Sequence, residues 1–173
     1  MLSIAELNQM ILRIPDYPKP GVVFQDITPL LSNSIAFRSL IQAMAKPFYD
    51  NEISHVIGIE ARGFLVGTAI AYELGAGFIP ARKAGKLPRE TKAAEYDLEY
   101  GTATIEIHRE DIPADTKVLV VDDVLATGGT LAALVSLLQD QACEIAAISV
   151  ISEITALNGR SKLPNIEIYS LIN

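Results

Sequence analysis

The chain has 173 residues, half of them hydrophobic, and a formal net charge of −7. That length and apolar share suit one domain with one sizeable core and require no second. The negative balance disfavours nucleic-acid backbones, and the longest uncharged stretch, residues 124–139, is shorter than the roughly 20 residues of a spanning helix and is broken by Thr127, Gly128, Gly129 and Thr130.

Glu6 stands where the positive segment of a signal peptide would be, and no apolar stretch with a cleavage site follows, so a cytoplasmic location is expected. Cys143 is the only cysteine, which leaves neither an internal disulfide nor a Cys-based zinc site. Its neighbours Ala142, Ile145 and Ala146 predict a buried thiol without chemistry.

In chain order, Ser3 and Glu6 form an S-x-x-E capping box, and Ile4, Leu7, Ile11 and Ile14 follow at helical spacing, predicting an opening amphipathic helix. Between residues 15 and 29, Pro15, Pro18, Pro20, Gly21 and Pro29 predict a loop that neither helix nor sheet crosses, although Val22, Val23 and Phe24 are apolar. Ser34 can cap a second helix with Phe37, Leu40, Ile41, Met44 and Phe48 on one face, bent or ended by Pro47. Residues 55–60 (HVIGIE) then read as a buried strand, residues 63–74 as a helix stopped by Gly75, and residues 77–82 as a strand closing a β-α-β unit.

Residues 83–101 lack hydrophobic periodicity and hold Gly85 and Pro88, which predicts a long functional loop. Residues 102–108 alternate, Ala103, Ile105 and Ile107 against Thr102, Thr104 and Glu106, as a half-buried antiparallel strand does. Residues 117–123 (KVLVVDD) form an apolar strand ending in two acids, and a helix follows with Leu131, Leu134, Val135 and Leu138 on one face. Residues 144–152 close a second unit and residues 166–171 give a last strand. The alternation predicts an α/β fold with a mainly parallel central sheet flanked by helices.

The strongest chemical signal is residues 120–130 (VVDDVLATGGT). A parallel strand delivers this segment to the carboxyl edge of the sheet, where α/β folds bind ligands. Backbone N–H groups of residues 127–130, the threonine hydroxyls and the positive end of the helix suit a phosphate monoester, and the glycines allow close approach. The Lys of a GxxxxGK[ST] loop and the spacing of GxGxxG are both missing, so neither a nucleoside triphosphate nor a dinucleotide is indicated. Asp122 and Asp123 would repel the phosphate, but they accept hydrogen bonds from ribose hydroxyls and help organise a metal-bound sugar. Together these features specify a phosphorylated sugar.

Arg82, Lys83, Lys86, Arg89 and Lys92 put five of the fourteen basic residues in one stretch, which is either a local anion site or a solvated charged loop. Phe24, in its proline-constrained loop, either stacks on a purine face or belongs to the core. His55 and His108 share no pattern and read as structural or exposed.

Residues 120–130 resemble the phosphoribosyl pyrophosphate signature of the type I phosphoribosyltransferases. PKPGVVFQDIT (18–28), EARGF (60–64), RKAGKLP (82–88) and LEYG (98–101) are similar to motifs of the adenine phosphoribosyltransferase family, in that family's order, so the resemblance spans nearly the whole chain. It implies the type I phosphoribosyltransferase fold, with a small N-terminal hood at about residues 1–33, a core at about residues 34–173 and a long flexible loop. It implies that Ala126, Thr127, Gly128, Gly129 and Thr130 hold a 5′-phosphate, that Asp122 and Asp123 face the ribose, and that Arg62, Arg82, Lys83 and Lys86 meet the pyrophosphate. By the same resemblance Val23, Phe24 and Gln25 form the adenine-binding loop, Glu99 lies nearest the base and relays its proton, and the Glu60–Ala61 peptide is cis. Many family members carry Arg where Gln25 stands, which leaves the Gln25 side chain without a base-reading role.

The implied activity is transfer of the phosphoribosyl group from phosphoribosyl pyrophosphate to adenine, giving AMP and pyrophosphate. Mg²⁺ would be carried mainly by the pyrophosphate and ribose of the substrate, with no direct protein ligand assigned. A homodimer is implied as well, for which the N-terminal helix and the edge strand offer surfaces. A transferase for hypoxanthine, guanine, xanthine or orotate shares the signature but not the Phe24 loop together with LEYG. A non-catalytic regulator sensing phosphoribosyl pyrophosphate would carry an added basic module for nucleic acid, which this acidic one-domain chain lacks.

Overall fold

The protein is described by a computed structural model over residues 1–97 and 101–173. The capping box forms as expected, with Ser3 N donating to Glu6 Oε2 at 2.8 Å while Ser3 Oγ accepts from Glu6 N, and it opens α1 (Ile4–Met10). This helix is shorter than its periodicity suggested, because Ile11 turns to extended backbone. Ile14 instead lies on β1 (Leu12–Pro15), opposite Phe24 of β2 (Val23–Asp26) in an antiparallel hairpin. A sheet therefore enters the region expected to be a loop. The prolines permit it because Pro15 ends its strand and Pro18 and Pro20 lie in the turn, where a missing N–H breaks no ladder.

Pro29 sits in the first turn of α2 (Thr28–Ser32), a position that tolerates it. The cap of α3 (Ser34–Ala45) is Asn33 rather than Ser34, since Asn33 Oδ1 accepts from the amides of Ile35 and Ala36, both at 3.0 Å. Pro47 follows in a 3₁₀ turn, Lys46–Phe48.

The first β-α-β unit comprises β3 (His55–Ile59), α4 (Arg62–Leu74) and β4 (Gly77–Lys83). Gly75 closes the helix in the left-handed region at φ +68°, where a Cβ would be strained. The long loop expected over residues 83–101 contains a strand, β5 (Thr91–Asp97), paired antiparallel along its length with β6 (Thr102–His108). Its exposed face carries Ala93, Glu95 and Asp97 and its other face Lys92, Ala94 and Tyr96, so no clean apolar alternation announces it. Backbone pairing with β6 makes the strand.

The second unit is β7 (Thr116–Leu125), α5 (Gly129–Gln139) and β8 (Cys143–Glu153), and β9 (Ile168–Ile172) completes a seven-stranded sheet ordered β5-β6-β4-β3-β7-β8-β9. Strands β4, β3, β7, β8 and β9 run parallel, and β6 is antiparallel both to β4 and to the outer strand β5. Along β7 the apolar run alternates between two cores. Leu119 and Val121 pack with Leu7, Leu40, Phe48 and Ile70, whereas Val118 and Val120 pack with Ile105, Leu134 and Leu138 on the other face. A central strand buried on both faces needs such a run, and each buried side chain contributes about 1.5–3 kcal/mol. Among the described residues no helix is long and apolar enough to cross a membrane.

Candidate active site

Because β4, β3 and β7 are parallel neighbours, their carboxyl ends open side by side. A cavity of about 410 Å³ lies over that edge. The β1–β2 hairpin supplies Val23, Phe24 and Gln25 to its wall, and the strand ends supply Lys83, Asp122 and Asp123. Residues 126–130 shape a smaller adjoining hollow of about 80 Å³. The fold thus brings together residues predicted from widely separated segments.

Gly128 turns the chain into α5 at φ +75°, and among the described residues no side chain caps the helix start. The amides of the first turn are therefore left without a side-chain acceptor, beside the positive end of the helix dipole. Next to them, Asp123 N donates to Asp122 Oδ1 at 2.9 Å. Burial, and next the charge of Asp123, push the Asp122 carboxyl well above the usual carboxylate range. Burial also raises Asp123, against the pull of Arg62. Gly63 makes room for this pair, since a methyl group there would stand 2.9 Å from Val121 O and 3.0 Å from Asp122 Oδ1.

Arg62 starts α4 and joins the hairpin to the acids. Its Nε lies 2.8 Å from Asp123 Oδ2, its Nη1 donates to Gln25 O at 3.0 Å, and its Cζ stands 4.7 Å from the centroid of the Phe24 ring. Phe24 is half-buried, edge-on to Tyr17 and over this guanidinium, so it belongs to the cavity wall rather than the core. The Gln25 side chain points to β8, where Ser152 Oγ donates to Gln25 Oε1 at 2.6 Å.

Sequence reasoning gave Glu60 no role beyond its motif, yet it organises the cationic strand end. Glu60 Oε1 accepts from Arg82 Nη2 at 3.0 Å and Lys86 Nζ at 2.8 Å, and Glu60 Oε2 accepts from Arg82 Nε at 3.3 Å and Lys83 N at 3.2 Å. Arg82, then Lys86, hold its carboxyl down to about 2. Arg82 Nη1 also donates to Lys86 O at 3.1 Å, so this guanidinium is already engaged on both sides. The Lys83 ammonium carries no such partner among the described residues and lines the cavity. The available signal was an acid ending one strand beside a cationic end on its parallel neighbour.

Arg89 is drawn elsewhere. It pairs with Asp111 at 2.7 Å and lies 2.9 Å from Nδ1 of buried His108, a structural cluster consistent with the reading of that histidine. His55 is half-buried with Nδ1 3.3 Å from Ser54 Oγ. The Cys143 thiol is partly buried, and burial raises it. The Glu60–Ala61 peptide is cis, as the resemblance implied. Glu99 lies outside the described residues.

This geometry has clear counterparts. The phosphoribosyl transferase domain family matches residues 28–170, from α2 into β9, and with it the α/β fold and mainly parallel sheet of the type I phosphoribosyltransferases. Similarity along the full length is narrower. The adenine phosphoribosyltransferase of Thermobifida fusca is 52% identical over 165 residues, covering 95% of this chain and 94% of that protein. That of Acaryochloris marina is 49% identical over 167 residues, with 96% and 98% covered. Among solved structures, adenine phosphoribosyltransferase from Thermoanaerobacter pseudethanolicus aligns at a TM-score of 0.95 with 45% identity, over 98% of this chain and 99% of that one. The Giardia lamblia enzyme complexed with 9-deazaadenine aligns at 0.93 with 38% identity, over 99% and 98%. The chain belongs to the adenine phosphoribosyltransferase family.

Proposed function

We propose that the protein transfers the 5-phosphoribosyl group of phosphoribosyl pyrophosphate to adenine, releasing AMP and pyrophosphate, a purine-salvage step. The observation that carries this reading is the juxtaposition on one cavity of an uncapped helix start, a buried acid pair and a cationic strand end. A 5′-phosphate, a ribose and a pyrophosphate need these three environments in that order.

In this reading residues 126–130 take the 5′-phosphate and the ribose hydroxyls donate to Asp122 and Asp123. Lys83 meets the pyrophosphate directly, Arg62 and Lys86 add charge from either side, and Arg82 acts by bracing the loop through Glu60. The base lies against Phe24, with backbone groups of Val23 and Gln25 at its edge, and Glu99 accepts its proton. A purine nitrogen forms the new C–N bond at the anomeric carbon as the C–O bond to pyrophosphate breaks, and the electron pair leaves with the pyrophosphate. Positive charge then develops on the ribose, where the acid pair stabilises it.

The pair is buried and raised, with only Arg62 as a partner cation among the described residues, which suits a donor that arrives with Mg²⁺ on its pyrophosphate and ribose. That ion would offset charge on the leaving group. The separate two-stranded sheet at the cavity mouth supports a hood formed by residues 1–33 over a core of residues 34–173. Exposed Ile4, Leu12 and Ile14 on the N-terminal segment support a homodimer. A cytoplasmic location completes the proposal.

The test is to incubate the protein with phosphoribosyl pyrophosphate, Mg²⁺ and each of adenine, hypoxanthine, guanine, xanthine and orotate, following nucleotide and pyrophosphate together. Turnover with adenine is expected. Preferred use of another base would overturn the adenine assignment, and donor binding without pyrophosphate release under any condition would leave a regulator instead.

A further inference from the structure

After β8 the chain makes two short 3₁₀ turns, Thr155–Leu157 and Gly159–Lys162. Ile154 N donates to Leu125 O at 2.9 Å, which lays this segment along the end of β7. Asn158, in the left-handed region at φ +50°, then turns the chain against residues 126–128. Here two backbones meet with no side chain between them. A methyl group on Gly159 would collide with Ala126 O and stand 2.8 Å from Leu125 Cδ1 and 3.1 Å from Gly128 N, and one on Gly128 would collide with Gly159 O.

The turn is anchored from behind. Arg160 Nη2 and Nε lie 2.7 Å and 2.8 Å from Oε2 of buried Glu153, and Arg160 Nη1 donates to Ile168 O at 3.2 Å. Leu163 follows into the core. In a 3₁₀ turn residues i and i+3 share one face, so Lys162 stands over the side on which Gly159 touches the glycine-rich turn. A methyl group on Gly129, the first residue of α5, would lie 4.0 Å from Lys162 Nζ. Among the described residues Lys162 has neither an ion pair nor a hydrogen-bond partner, while Arg160 is committed to Glu153.

An ammonium beside the uncapped, positive start of a helix is unfavourable unless an anion lies between them. We infer that residues 158–162 form the rear wall of the 5′-phosphate site, with Gly159 setting the shape of the glycine-rich turn and Lys162 supplying a cation to the phosphate monoester. The inference rests on the reading of residues 126–130 as that site and adds to it a contact from a separate part of the chain. A doubly charged monoester takes both the helix amides and a neighbouring cation.

Calorimetric titration of the full chain with AMP, which carries the monoester, and with pyrophosphate and Mg²⁺, which lack it, tests the inference. In Lys162→Met the affinity for AMP should fall about five- to tenfold and the KM for phosphoribosyl pyrophosphate should rise similarly, with pyrophosphate affinity unchanged. Lys162→Arg should restore most of the loss, which a merely structural role would not predict. Gly159→Ala should weaken AMP binding as well, and the two lysine variants keep the test open if it fails to fold. Thr130→Ala serves as reference. If it weakens AMP binding and Lys162→Met does not, the inference about Lys162 is wrong while the phosphate site stands. If neither changes AMP binding, the phosphate site is itself misplaced.

Discussion

Replacing Glu60 with Gln keeps the shape of the side chain and removes the charge that holds Arg82 and Lys86. The carboxyl titrates at about 2 against an ordinary value of 4.5. That difference corresponds to ~3 kcal/mol of stability at neutral pH. Arg82 and Lys86 are 32% and 48% exposed, so solvent screening reduces the figure to ~1–2 kcal/mol. Since the folded value lies below the unfolded one, the contribution is present above 4.5 and is lost as pH falls from there through about 2. Half of it is gone midway, near about pH 3.3. Urea unfolding of both proteins should show the variant less stable by ~1–2 kcal/mol at pH 7, with the gap narrowing by about two fifths at pH 3.5. A gap of the same size at both pH values would refute the reasoning, because the lost energy would then come from packing and not from charge.

Gly63→Ala should lower stability by ~1–3 kcal/mol, because its methyl group meets Val121 O and Asp122 Oδ1 at 2.9 Å and 3.0 Å, and a thermal melt checks this. Ser152→Ala removes the donor to Gln25 Oε1, so it should cost ~1 kcal/mol and raise the KM for the base while leaving that for the donor unchanged. Replacing Asp122 and Asp123 together with Asn should abolish turnover. Both carboxyls are raised in the fold, so their ionised forms oppose folding as pH rises, and the double variant should melt no lower than the parent at pH 8.

Patterns that arise from burial were legible in the sequence. The run through Val118, Leu119, Val120 and Val121 declared a central strand because it must satisfy two cores at once, and Gly75 declared a helix end because of its left-handed backbone. Elements made by backbone pairing were not. Strand β5 has a charged exposed face and depends on β6 for its ladder, and β2 lies in a proline-rich segment whose prolines fall at the last paired position of β1 or in the turn. The site divides along the same line. The glycine-rich turn and its acids are contiguous in sequence, so their proximity was certain. The partners of Arg62, Arg82 and Gln25 come from other elements: the β1–β2 hairpin brings Gln25 to Arg62 and to Ser152 of β8, and the parallel register of β3 and β4 brings Arg82 to Glu60.

That register distributes cations unequally among the acids of the cleft. Glu60 receives Arg82, Lys86 and an amide and is held strongly ionised, whereas among the described residues Asp122 and Asp123 share Arg62 alone and are pushed toward protonation by burial. If the three carboxylates served only to hold the fold, the acids with the least solvent would be expected to have the most partners, since an uncompensated buried charge is costly. Here the Glu60 and Asp123 side chains are almost equally buried, 10% and 6% exposed, yet their partners differ. In the proposed function the deficit falls where the ribose develops positive charge, and the surplus falls where the pyrophosphate leaves. A donor arriving with its own cation would correct the first and be drawn by the second, so its binding would offset the imbalance among these carboxylates.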